Sequence, residues 1–259
     1  MLAEAIGVSK HFHARGASRA TVAAVDNVSL AVHEGKTLAL VGESGCGKST
    51  LGRMMLRLLS PDAGTVRFGD ADITHLSLTQ LRPLRRRMQI LFQHPDSSFH
   101  PRMTILRSLI EPPLLHRLLP KDAAKKKAVH LAAELGLHAD LLDRYPHQVS
   151  GGQLQRAALA RVLTLDPQFI VLDEPTSMLD VSVQAQVIAL LRLAQARYKL
   201  TYLFITHDLD LAAAVADEIA VMYRGKVVEQ GPAAGITNAP EHEYTRRLVA
   251  AFRYRLKRN

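Results

Sequence analysis

The sequence predicts an α/β fold with a buried parallel sheet, and three observations predict it. The apolar run Thr37-Leu38-Ala39-Leu40-Val41 ends in Gly42-Glu43-Ser44-Gly45-Cys46-Gly47-Lys48-Ser49-Thr50, after which Leu51, Met54, Met55, Leu58 and Leu59 recur at helical spacing. Two further apolar runs also end in polar groups: Phe169-Ile170-Val171-Leu172 meets Asp173-Glu174, and Thr201-Tyr202-Leu203-Phe204-Ile205-Thr206 meets His207-Asp208. Between those two, Val183, Val187, Leu190, Leu191 and Ala194 mark one face of a crossover helix, and strand, helix, strand in that order calls for parallel pairing.

The first strand exit reads as a polyphosphate pocket. Glycines at 42, 45 and 47 let backbone N–H groups turn inward, and the following helix aims its positive dipole end at the same place. Lys48 reaches β- and γ-phosphates as a point charge, the Ser49 hydroxyl suits Mg²⁺ held between them, and Thr50 adds a second hydroxyl. A chance Gly-rich turn is the alternative, and the strand before and helix after it argue against that. Cys46 carries two readings: a thiol acidified by the anion pocket and helix N-terminus, or a small packer facing the core.

The 259 residues suffice for a sizeable core, and 47% hydrophobic with 22% charged residues is a globular composition. No apolar run approaches the roughly 20 residues that span a bilayer. Met1-Leu2-Ala3-Glu4-Ala5 has no basic segment backed by an apolar one, so the chain is expected to be neither exported nor membrane-spanning. The single cysteine excludes an internal disulfide, and the 12 histidines are scattered without ligand spacing. Thirty-three Lys+Arg against 24 Asp+Glu give +9. The excess gathers at residues 82–87, 121–127 and 253–258; these read as solvated faces first, then as membrane-surface patches. With 5% aromatics and no interleaved stacking residues, no nucleic-acid partner is expected.

From about Pro95 to Gln148, prolines at 101, 112, 113, 120 and 146 read as breaks, with a helical face of Val129, Leu131, Ala132 and Leu135 between them. This segment is expected to be a helical insertion. Residues 218–223 and 226–230 flank Arg224-Gly225 at the spacing of a two-residue hairpin, and 232–259 reads as a short helical appendix.

Adjacent carboxylates at a buried strand end suit nucleotide hydrolysis: Asp173 can hold Mg²⁺ through water, and Glu174 can orient and deprotonate the attacking water. His207 could bond the γ-phosphate and that water, and Gln93 follows the apolar run Ile90-Leu91-Phe92. Taken singly, each is also an ordinary polar strand terminus; their joint occurrence behind the glycine loop raises them. Ser150-Gly151-Gly152-Gln153 opens another helix and forms a second anion site, which fits a nucleotide held by another subunit.

These residues resemble the ATPase subunits of ABC transporters over nearly the whole chain. The resemblance rests on Phe12 as adenine-stacking aromatic, "GESGCGKST" as Walker A, Gln93 as Q-loop, "VSGGQ" as signature, "FIVLDE" as Walker B, "SMLD" as D-loop and His207 as switch histidine. It implies a P-loop NTPase (RecA-like) core with an antiparallel β part and an inserted helical subdomain. Residues 1–259 would form one ABC ATPase domain: core at 1–94 and 158–231, helical subdomain at 95–157, appendix at 232–259.

It further implies that Phe12, Gly42, Glu43, Ser44, Gly45, Cys46, Gly47, Lys48, Ser49 and Thr50 bind ATP, and that Ser49, Gln93 and Asp173 hold Mg²⁺. Glu174, His207 and Gln93 would be catalytic. Ser150, Gly151, Gly152 and Gln153 would contact ATP on a second ABC ATPase subunit, a related or identical chain. Two membrane permease subunits and, indirectly, a periplasmic or extracellular solute-binding protein complete the expected assembly, on the cytoplasmic face of the plasma membrane.

"HPDSSFHPRMT", "LDVSVQAQV" and "PEHEYTRRL" are similar to the importer subgroup for peptides, nickel and metal chelates. Val149, Met178 and Phe99-His100 depart from the usual residues and leave the catalytic ones intact. The absence of a cysteine-containing C-terminal segment tilts the cargo toward nickel or a metal chelate rather than peptide. The competing class is a non-transport accessory ATPase in a soluble complex of the phosphonate-breakdown type.

Overall fold

The computed structural model describes residues 1–13, 21–177 and 180–256, with the backbone alone for His13, Val181 and residues 252–256. Met178 and Leu179 of the D-loop stretch, and the last three residues of the basic tail, lie outside the described residues. In chain order the elements are β1 (Ala3–His13), β2 (Thr21–Val32), β3 (Thr37–Val41), α1 (Lys48–Met55), β4 (Ala63–Phe68), β5 (Ala71–Asp72) and α2 (Leu78–Arg85). Then come β6 (Met88–Leu91), α3 (Ile105–Leu115), α4 (Lys121–Glu134), α5 (Gly151–Leu163), β7 (Phe169–Asp173) and α6 (Val181–Tyr198). The chain continues through β8 (Thr201–Thr206), α7 (Leu209–Val215), β9 (Glu218–Tyr223), β10 (Lys226–Pro232), α8 (Ala233–Asn238) and α9 (Glu243–Leu256).

Two compact units divide the chain, one of Met1–Leu81 with Thr201–Asn259 and the other of Arg82–Leu200. In the first unit, β2-β1-β4-β5 form an antiparallel sheet, and four more strands lie in the order β10-β9-β3-β8. β3 runs parallel to both β8 and β9, with Val41 opposite Thr206 and Val221. Every residue of β3 and β8 is buried, as strands covered on both faces require. The β9–β10 hairpin turns through Arg224 (φ 46°) and Gly225 (φ 82°), the pair of left-handed residues that a type I′ turn needs.

In the second unit, β6 and β7 pair in parallel with Leu91 opposite Leu172, and α3, α4 and α5 pack on one another. α6 buries Val187, Ile188, Leu191 and Ala194, so the amphipathic helix predicted after β7 is present. No described helix is long and apolar enough to cross a membrane.

Four expectations are corrected. The apolar spacing carried the first helix to Leu59, but α1 ends at Met55 and Leu58 is exposed. Arg57 takes φ 51°, and its guanidinium bonds Ile73 O at 2.9 Å and Ser60 Oγ at 2.8 Å, which turns the chain out of the helix. Pro112 and Pro113 do not break α3. A proline at 112 leaves Ser108 O without its helical N–H, and Arg161 Nε from α5 donates to that oxygen at 3.0 Å. In α4 the buried row is Ala124, Ala128, Leu131 and Ala132; Val129, about 100° round the helix from Ala128, is exposed.

The 232–259 stretch is more than an appendix, because Ala233, Ile236, Tyr244 and Val249 share a core with Ala39 and Val41 of β3 and with Ile219 and Val221 of β9.

Candidate functional site

In the first unit the glycine loop leaves the buried end of β3 and enters α1. Gly42, Gly45 and Gly47 have φ of 155°, 79° and 110°. Two of them cannot carry a side chain: a Cβ at Gly42 would lie 2.1 Å from Met222 O, and one at Gly47 would lie 2.0 Å from Ala24 O. Gly225 N–H donates to Cys46 O at 3.0 Å, and Asp26 N–H donates to Gly225 O at 2.8 Å. The loop is thus held from β2 and from the β9–β10 hairpin.

Lys48 is only 4% exposed, and its ammonium donates to Gly42 O and Glu43 O, each at 2.8 Å, with Cys46 Sγ at 3.8 Å. A buried ammonium must be paired; here the loop's own carbonyls hold it above the turn. Ser49 and Thr50 follow in the first turn of α1, half-buried. Glu43, Ser44 and Gly45 form the exposed crest. Cys46 is 8% exposed, and burial pushes its thiol up while the Lys48 ammonium works against that shift. The acidified thiol expected from the anion pocket is therefore replaced by the alternative of a small buried packer.

His207 follows β8 and is exposed, while the next residue is a cap: Asp208 accepts Leu211 N–H at 2.9 Å and starts α7. Phe12, 44% exposed, lies opposite Val22 across the β1–β2 ladder, an aromatic face open to solvent.

The second unit brings another group together. Asp173 ends β7 and is 6% exposed; Glu174, with φ 48°, turns the chain sharply out of the strand. Gln93 Nε2 donates to Glu174 Oε2 at 3.4 Å and to Ser177 Oγ at 3.1 Å, and Ser177 Oγ–H donates back to Glu174 O at 3.2 Å. Ser177 was not singled out from sequence as a site residue, and only its place in the D-loop stretch pointed to it. Gln155 was also missed: buried on α5, it donates to Pro175 O at 3.0 Å and so ties the helix after the signature to the turn after Glu174.

Ser150 caps α5, accepting Gln153 N–H at 3.3 Å while Gln153 Oε1 accepts Ser150 N–H at 2.9 Å. Ser150 and Gly151 are exposed, and Gly152 and Gln153 half-buried, so this helix N-terminus faces outward. Asp180 likewise caps α6. Its carboxyl is held below the usual range by the hydroxyl of Ser182 and the amide of Val183.

A buried strand that feeds a lysine-bearing glycine loop at a helix N-terminus defines a P-loop nucleoside triphosphatase. The chain belongs to the ABC transporter family, whose model matches residues 25–177. It is an ATP-hydrolysing enzyme with the architecture of the ABC ATPase cassette: a RecA-like core, an antiparallel β part and an inserted helical subdomain.

It is similar to the oligopeptide transport ATP-binding protein AppF of Bacillus subtilis (strain 168), 46% identical over 92% of this chain and 72% of AppF. It is also similar to the dipeptide transport ATP-binding protein DppF of Escherichia coli (strain K12), 43% identical over 96% of this chain and 76% of DppF. Among solved structures, the dimeric post-hydrolysis state of the ATP-binding cassette MJ0796 bound to ADP and Pi matches with TM-score 0.80. It is 26% identical, with 90% of this chain and 99% of that one covered.

Proposed function

We propose that the chain is the ATP-hydrolysing subunit of a membrane importer for di- or oligopeptides, working as a nucleotide-sandwich dimer on the cytoplasmic face of the plasma membrane. The observation that carries the cargo class is the similarity to AppF and DppF, both named for peptide transport and both matched over more than nine-tenths of this chain. Nickel or metal-chelate import, toward which the sequence reading leaned, uses the same subunit plan, but these relatives are named for peptide transport and outweigh that leaning. The same assembly needs two permease subunits and a solute-binding protein that delivers cargo.

In this reading residues 42–50 hold the phosphates of ATP, Phe12 stacks on the adenine, Glu174 takes the proton of the attacking water, and Gln93 and His207 orient it. The donor set Ser49, Gln93 and Asp173 offers only oxygen ligands, the type Mg²⁺ takes. That ion, when bound, neutralises charge building on the β- and γ-phosphates. Ser150, Gly151, Gly152 and Gln153 grip the ATP of the opposite subunit; their outward-facing position on α5 and the dimeric state of the MJ0796 cassette support this. We assign 95–157 to the helical subdomain and 1–94 with 158–231 to the nucleotide-binding core, a division by role rather than by compactness.

The test is uptake in a deletion strain complemented with this chain, using labelled di- and oligopeptides, nickel and a metal chelate, with the complex purified from native membranes. Peptide uptake with permease co-purification supports the proposal. Nickel or chelate uptake alone would replace the cargo, and recovery only with soluble enzymes would replace transport by the accessory role.

A further inference from the structure

The glycine loop has a support that comes from far along the chain. Glu43 N–H donates to the phenolic oxygen of Tyr244 at 3.2 Å. The carbonyl of the same residue accepts Lys48 Nζ at 2.8 Å and Cys46 N–H at 3.3 Å. Gly42 O, the carbonyl of the peptide unit that carries the Glu43 N–H, also accepts Lys48 Nζ at 2.8 Å, so that one unit ties Tyr244 on one side and the loop lysine on the other.

Tyr244 is itself fixed. It is 8% exposed, its ring stacks on Tyr223 with centroids 4.2 Å apart and planes 27° from parallel, and it shares a core with Val41 of β3, the strand that feeds the loop. The start of α9 is pinned to β10: Glu229 accepts Glu241 N–H at 2.8 Å and His242 N–H at 3.0 Å, and His242 Nδ1 accepts Tyr244 N–H at 3.1 Å. Burial raises the Glu229 carboxyl, but those two amides outweigh it and hold the group below its ordinary range.

We propose that Tyr244 is a positioning residue for ATP binding: through the Glu43 peptide it holds the loop and Lys48 in the phosphate-ready form before nucleotide arrives. The inference rests on the reading of residues 42–50 as the phosphate pocket. Its physical content is preorganisation. A loop already in its bound shape loses less conformational freedom on binding, so the support acts on affinity. Once ATP is bound, the phosphates themselves order the loop, and the support has little left to do for the chemical step.

Tyr244→Phe removes the oxygen and keeps the ring, its stacking and its burial. Amide hydrogen exchange on the nucleotide-free chain should show the Glu43 N–H exchanging about 2–10-fold faster in the variant, the usual worth of one neutral hydrogen bond. KM and Kd for ATP should rise by the same factor, with the effect falling on KM rather than kcat. A merely structural role would instead lower kcat through a smaller folded fraction and leave KM in place. Tyr244→Leu, which also loses the stack, should raise KM further. Unchanged exchange at Glu43 in the Phe variant, or a fall in kcat at constant KM, would overturn the proposal. The exchange measurement needs no nucleotide, so it fails or succeeds apart from the pocket reading; that reading fails if the wild-type chain shows no saturable ATP binding.

Discussion

Gly47→Ala should abolish useful ATP binding while leaving the fold in place. The added methyl would sit 2.0 Å from Ala24 O and 2.8 Å from Met222 Cε, where ordinary contact begins at 3.4 Å. Ala24 sits at a bulge in β2, held between the paired residues Ala23 and Val25, which leave no room to yield by the missing 1.4 Å, so the loop itself must move. Displacing catalytic or binding groups by about 1 Å costs on the order of 10²-fold. In addition, Gly47 has φ 110°, and forcing an L-residue into left-handed space costs about 1–2 kcal/mol, a further factor of roughly 5–30. Together these predict a loss of about 10³-fold in affinity for ATP. Gly45→Ala is the internal control. Its φ is 79° but a methyl there meets nothing within 4 Å, so only the strain remains, at most about 30-fold. Titration with a fluorescent ATP analogue, with circular dichroism to confirm folding, reads both variants. A Gly47→Ala chain that binds ATP within tenfold of wild type, or a Gly45→Ala chain that binds more weakly than Gly47→Ala, would refute the reasoning.

Glu174→Gln should keep ATP bound and slow hydrolysis by about 10²–10⁴-fold, because the amide preserves the contact with Gln93 but cannot accept a proton; normal turnover would remove Glu174 from the base role. Ser150→Arg places a bulky cation at the exposed end of α5. It should leave one nucleotide bound per chain yet block ATP-dependent pairing in sedimentation of the Glu174→Gln background, with the partner ATPase supplied; wild-type association would sink the shared-site dimer. Cys46 should alkylate more slowly than a free thiol by about tenfold or more at pH 7, since burial both shields the sulfur and raises its pKa, which lowers the thiolate fraction at any given pH. The rate should still be climbing above pH 9, and labelling at free-thiol speed at pH 7 would mean the sulfur is not packed where the structure has it.

The glycine loop, the strand-end carboxylate pair and the Arg224-Gly225 hairpin were all legible in the sequence, because each depends on neighbours within a few residues. A glycine spacing, an apolar run and a two-residue turn carry their geometry locally. Where the local signal failed, a distant partner had intervened. Pro112 and Pro113 read as breaks, since nothing nearby could accommodate the freed Ser108 carbonyl; Arg161, 53 residues on, supplies the missing donor. Leu58 fitted the helical row of α1, and the Arg57 bond to Ile73 O turned it outward.

Cys46 shows the same division within a single residue. Its position in the loop was plain, but both readings of its side chain were open until the fold fixed which way it points. By itself the sequence determined the class of protein: a lysine-bearing glycine loop at the exit of one buried strand and a carboxylate pair at the end of another pointed to an ATP-hydrolysing member of the ABC transporter family. Only the tertiary structure decided what holds those groups still. Ala24, Met222, Gly225 and Tyr244 crowd or bond the loop from β2, the β9–β10 hairpin and α9. Contacts between residues up to 201 positions apart leave no trace in local periodicity, because they are set by which buried surfaces meet and not by any spacing along the chain.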